Sequence, residues 1–102
     1  MSAPREEPGD GGTPSAVEVL VFGTVQGVGF RYRTRQRAEA LGLGGSAANL
    51  PDGSVRVIAQ GPRDRVAELV DWLRSAQAPG RVERAEVRER DVSTRLTGFD
   101  VG

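Results

Sequence analysis

The sequence predicts an α+β fold: one mixed or antiparallel sheet with two helices packed on a single face. Three observations lead there. Apolar residues alternate in short runs at Val17–Val25, at Ser54–Gln60 and again after Arg81. Two other stretches repeat their apolar residues every three or four positions, as an amphipathic helix does. Glycine or proline stands at each change of period.

The first sixteen residues, Met1 to Ala16, are rich in Pro, Gly, Ser and acid, with little to bury, and are expected to form a disordered tail dispensable to the chemistry. The domain proper is expected over residues 17–102. Its first strand, Val17 to Val25, sets Val17, Val19 and Val21 on one face, while Leu20 and Phe22 make the other face apolar near its end. Such a strand is central in a sheet or lines a site.

Phe30 to Leu41 reads as a helix, with Phe30, Thr34, Ala38 and Leu41 on one narrow stripe and Gly42 and Gly44 placed to end it. Its arginines read as a solvated face rather than a nucleic-acid patch. Gly45 to Leu50 is a strand of small residues, Pro51-Asp52-Gly53 a turn, and Ser54 to Gln60 the returning strand of a hairpin. After Gly61-Pro62 a second helix, Arg63 to Ala76, carries Val66, Leu69, Val70 and Leu73 at i, i+3, i+4 and i+7. Pro79-Gly80 ends it. A strand with Val82, Ala85 and Val87 follows, and a short last one surrounds Phe99. The order β-α-β-β-α-β, with a split final strand, is that of the two-layer ferredoxin-like sandwich.

Composition narrows the chemistry. The 102 residues carry 14 basic and 14 acidic side chains, so no net field draws nucleic acid or an acidic membrane. With no cysteine and no histidine, thiolate nucleophiles, disulfides and the commonest general base and metal ligands are excluded. Catalysis must rest on arginine, amides, carboxylates, hydroxyls and backbone, with no cofactor or metal implied. No run approaches the roughly 18 apolar residues of a membrane span, and no basic-then-apolar leader opens the chain, so a cytoplasmic monomer is expected.

One stretch stands apart, Gly23 to Arg31, GTVQGVGFR. A strand ending in a glycine-rich turn at a helix start leaves several N–H groups unpaired at the positive end of the helix dipole, a site for a phosphate-sized anion. Arg31, in the first turn, adds a planar guanidinium able to grip two oxygens. A plain tight turn is equally compatible with the spacing. The loop lacks the Lys-Ser/Thr of a nucleotide P-loop and the G-x-G-x-x-G of a dinucleotide fold. Asn49, just before the hairpin turn, carries a carboxamide that both donates and accepts, suited to holding a water in line with phosphorus; alone it reads as a turn-capping residue. A site with no strong base suits a leaving group that needs no proton, such as a carboxylate, whose conjugate acid has a pKa of about 4. That favours a carboxylic–phosphoric anhydride over a phosphate ester.

Two blocks, GTVQGVGFR and GSAANLPDGSVRVIAQG, resemble the acylphosphatase family. The first carries the family's glycine–glutamine–arginine pattern at Gly23, Val25, Gln26, Gly27, Val28, Phe30 and Arg31; the second matches at Gly45, Asn49, Asp52, Gly53, Val55 and Gly61. The similarity spans Val17 to Val101. It implies hydrolysis of a small acyl phosphate to a carboxylate and inorganic phosphate, the latter also a competitive inhibitor. In this reading Gln26, Gly27, Val28, Gly29 and Phe30 form the substrate-binding loop, Arg31 grips the phosphate and Asn49 orients the water. Ser46 stands where the family usually has an aromatic residue, and Ala47 and Ala48 replace larger ones, so a weaker core or a more open pocket is expected. The chain stops sooner after Phe99 than in many relatives, which implies modest stability. The alternative is a non-catalytic module of the same fold that binds an anion or a protein. An RNA-binding sheet would need stacking aromatics, and the strand at Ser54–Gln60 has none.

Overall fold

The computed structural model describes residues 12–75, 77–93 and 97–102. The elements run β1 (Pro14–Thr24), α1 (Phe30–Ala40), β2 (Gly44–Asn49), β3 (Val55–Pro62), α2 (Arg63–Leu73), β4 (Arg81–Arg90) and β5 (Phe99–Val101). This is the ferredoxin-like order read from the sequence. The first strand starts at Pro14, where Pro14, Ser15 and Ala16 pair with Pro62, Gly61 and Gln60, so the last residues assigned to the tail belong to the sheet. The remainder of that tail, residues 1–11, lies outside the described residues.

The strands lie in the order β4-β1-β3-β2-β5, antiparallel except for β5 beside β2. The split last strand therefore occupies both edges, β4 at one and β5 at the other. Strand parity fixes the two faces. Val17, Val19 and Val21, Val55, Val57 and Ala59, and Ala47 are all buried toward the helices. Leu20, Phe22 and Ile58 lie on the opposite, open face, half-buried, with the Arg84 guanidinium 4.1 Å from the centre of the Phe22 ring.

Helix α1 covers β2 and β5, and α2 covers β1 and β3. Phe30, Thr34 and Ala38 are the buried residues of α1, with Leu41 just past its end, as the stripe predicted. In α2 the buried set is Val66, Leu69, Trp72 and Leu73, and Val70 is only half-buried. Trp72, three residues beyond Leu69, joins that set, its ring meeting Phe30 of the other helix, centroids 6.5 Å apart, along the seam between them.

Ser46 is half-buried and pairs with Ile58 on the open face, and Ala48 pairs with Arg56 there. The missing aromatic side chain would therefore cover the outer surface of the sheet. It would not wall the helix-side face on which Ala47 and Asn49 lie, so the expected widening of the pocket does not follow from it.

Candidate active site

Residues 25–29 link β1 to α1 without regular structure, and two of them, Gly27 and Gly29, sit at φ +77° and +78°. A Cβ at either would meet nothing within 4 Å, so the left-handed backbone and not crowding calls for glycine. Gly29 is the N-cap of α1 and supplies no capping side chain. The first backbone bond of the helix runs from Arg33 N–H to Gly29 O at 3.0 Å, which leaves the N–H groups of Phe30, Arg31 and Tyr32 without a partner inside the helix. The first turn holds no acidic residue. It carries Arg31 instead, a cation at the positive end of the dipole, which costs about 0.3–1 kcal/mol unless an anion is near.

The loop residues divide their tasks. Phe30 is 1% exposed and sends its ring into the core. Gln26 donates its side-chain Nε2 to Leu50 O and Ser54 O, both at 2.9 Å, bracing the loop against the two ends of the β2–β3 turn. With two glycines between them, what residues 26–30 offer a ligand is main-chain N–H, plus the exposed side chain of Val28. The brace escaped the sequence reading because its partners are carbonyls 24 and 28 residues away, which leave no mark on residue type.

Asn49 closes the helix-side face of β2, two residues beyond the buried Ala47. The chain leaves α1 through Gly42 and returns along β2, so the last residue of that strand lies at the end of the sheet where α1 begins. Its carboxamide is exposed and has no hydrogen-bond partner among the described residues. The turn beyond it is capped by a different residue: Asp52 Oδ1 accepts the Ser54 N–H at 2.9 Å and the Ser54 hydroxyl as well. Those bonds, the hydroxyl first, hold the Asp52 carboxyl below its ordinary pKa. The turn-capping role open to Asn49 in the sequence is thus filled by Asp52.

Arg31 is half-buried and donates through Nη1 to Gly102 O, while Gly102 N–H donates to Ala47 O at 3.0 Å. This relay ties the guanidinium to β2 two residues before Asn49. Arg31, Asn49 and the N–H groups that no bond within α1 uses therefore share one end of the sheet. Such a set can bind a phosphate-sized dianion and keep an amide free for a water molecule. Among the described residues no group of three His, Cys, Asp or Glu could hold a metal ion, and no helix is long and apolar enough to cross a membrane.

A family model described as acylphosphatase matches residues 17–101. A curated acylphosphatase of Nocardia farcinica is 48% identical over 98 residues, 96% of this chain and 95% of its own. Among solved structures, an acylphosphatase from Coxiella burnetii superposes with a TM-score of 0.78 at 35% identity, covering 87% of this chain and 93% of that one. One from Bacillus subtilis does so with a TM-score of 0.77 at 29% identity, covering 86% and 98%.

Proposed function

The chain belongs to the acylphosphatase family and is an acyl phosphate hydrolase, and we propose that it acts by direct in-line attack of water on phosphorus. The phosphoryl group is held by main-chain N–H groups of Gln26, Gly27, Val28, Gly29 and Phe30 and gripped by the Arg31 guanidinium, which stabilises charge on its equatorial oxygens. Asn49 holds the attacking water through its carboxamide. The new bond forms between water oxygen and phosphorus. The bond to the acyl oxygen breaks, its electron pair leaving with the carboxylate, and the surplus proton of the water passes to phosphate or solvent. Because the carboxylate departs as a stable anion, the mechanism asks for no general acid, covalent intermediate, metal or cofactor. The same reading makes the enzyme a cytoplasmic monomer acting on a small acyl phosphate, with phosphate as product and competitive inhibitor and no nucleic-acid or membrane partner.

The observation that carries this proposal is the bare start of α1: no capping side chain, no acid in the first turn, and an arginine instead. Acetyl phosphate hydrolysis by the protein and by Asn49→Ala tests it. The variant is expected to lose about 100-fold in kcat, the size of a misplaced nucleophile, while the inhibition constant of inorganic phosphate stays within about twofold. Collapse of phosphate binding with kcat retained would overturn the role of Asn49.

A further inference from the structure

A cleft of about 570 Å³ opens between the flank of α1 and the C-terminal end of α2. Arg33, Gln36, Arg37 and Ala40 line it from α1, with Trp72 and Gln77 on the α2 side. We propose that it is a second anion site, separate from the phosphate loop, which takes an oligophosphate through the paired guanidinium groups of Arg33 and Arg37. The inference does not depend on the mechanism above.

The distribution of charge supports it first. The protein is neutral overall, yet α1 holds four arginines and one glutamate within its 11 residues. Glu39 neutralises Arg35, at 3.2 Å. The guanidinium groups of Arg33 and Arg37 have no ion-pair or hydrogen-bond partner among the described residues. Spaced i, i+4, they stand one turn apart on the same flank, where like charges oppose helix formation unless an anion lies between them.

The walls supply what such an anion needs. No carboxylate lines this cleft, whereas two others of similar size both include Glu39. Gln36 and Gln77 add carboxamides that no described residue engages. Two guanidinium forks one turn apart suit neighbouring phosphoryl groups, each fork gripping its own. Trp72 is 7% exposed and its ring lies against Phe30, so it offers an edge and no open face on which a nucleobase could stack. The site therefore reads phosphates alone.

Position separates it from the loop. Arg37 stands two turns into α1, about 12 Å along the axis from Gly29, out of contact with a phosphate held there.

The test titrates the whole chain with tripolyphosphate, followed by calorimetry and by the fluorescence of Trp72, the single tryptophan. The wild type is expected to bind it saturably with a change in Trp72 emission. Arg33→Ala and Arg37→Ala should each weaken binding about tenfold, the worth of one charge-assisted contact, and Arg37→Ala should keep its kcat/KM for acetyl phosphate. Arg31→Lys, which keeps the charge but loses the bidentate grip, should bind tripolyphosphate as the wild type does. ATP should bind no tighter than tripolyphosphate. Unchanged affinity in Arg37→Ala, or no saturation at millimolar tripolyphosphate, overturns the site. Loss of binding in Arg31→Lys also overturns it, because the ligand would then sit on the loop. ATP binding about tenfold tighter would overturn the reading of phosphates alone.

Discussion

The two helices have 11 residues each, cover the same face of the sheet and both lack a capping side chain, yet only one of them carries an acid in its first turn. Helix α2 starts after Pro62, carries Asp64 in its first turn and buries Val66, Leu69, Trp72 and Leu73. Its acid complements the dipole and its apolar face is broad. Helix α1 starts bare, with Arg31 where a carboxylate would be favoured, and buries only Phe30, Thr34 and Ala38 along its length. One of these, Thr34, has its hydroxyl buried with no hydrogen-bond partner in the described structure. The contrast separates two uses of one element. Helix α2 holds the sheet together, whereas in the proposed mechanism the start of α1 is left for the phosphate.

That contrast can be broken by substitution. The largest effect is expected from Arg31→Lys, which should lower kcat/KM for acetyl phosphate about 100-fold or more, since an ammonium cannot make the bidentate grip. The same variant should lose most of the stabilisation that inorganic phosphate gives the wild type, about 2.7 kcal/mol at 100 times the dissociation constant, measured by urea unfolding. Wild-type activity in Arg31→Lys would remove the arginine from the mechanism. Next comes Leu69→Ala in α2, expected to cost about 2–5 kcal/mol of stability while the folded fraction retains its KM. A shift in KM would mean that α2 shapes the site after all.

Thr34→Val should instead stabilise the protein by about 1 kcal/mol, because a methyl of similar volume replaces a buried hydroxyl that nothing satisfies. A loss in chemical-denaturation stability would show that the hydroxyl has a partner. The smallest effect concerns the hairpin turn. The pKa of Asp52 is depressed in the folded protein, so its bonds to Ser54 add stability above its unfolded value, about 3.9, and that contribution fades as pH falls through the lower folded value. Asp52→Asn should therefore flatten the acid limb of a stability–pH curve below about pH 4, and an identical limb in the two proteins would count against the turn.

What the sequence revealed follows where side-chain character carries the signal. The stripe Phe30, Thr34, Ala38 and the alternation of Val55, Val57 and Ala59 both record burial, and both elements lie where that record puts them. Strand β2 had no such contrast. GGSAAN is small throughout, so nothing in it set which residues face the helices, and only pairing with β3 turns Ser46 outward and Asn49 inward. The positions of β4 and β5 at opposite edges were equally hidden, since a three-residue strand has too few positions to show a period. At the site, residue types pointed to Arg31, Asn49 and the glycine loop. The contacts that arrange them, Gln26 to the hairpin carbonyls and Arg31 to Gly102, use main-chain oxygen and so leave no trace in the pattern.

The Gln26 clasp makes the hairpin a gauge for the loop. One carboxamide nitrogen touches the carbonyls of Leu50 and Ser54 together, so the span of residues 50–54 sets how far the loop stands from β2. An insertion there, in a surface turn where lengthening is ordinarily harmless, would draw the two oxygens apart and so detune the proposed anion grip, to which the turn contributes no atom.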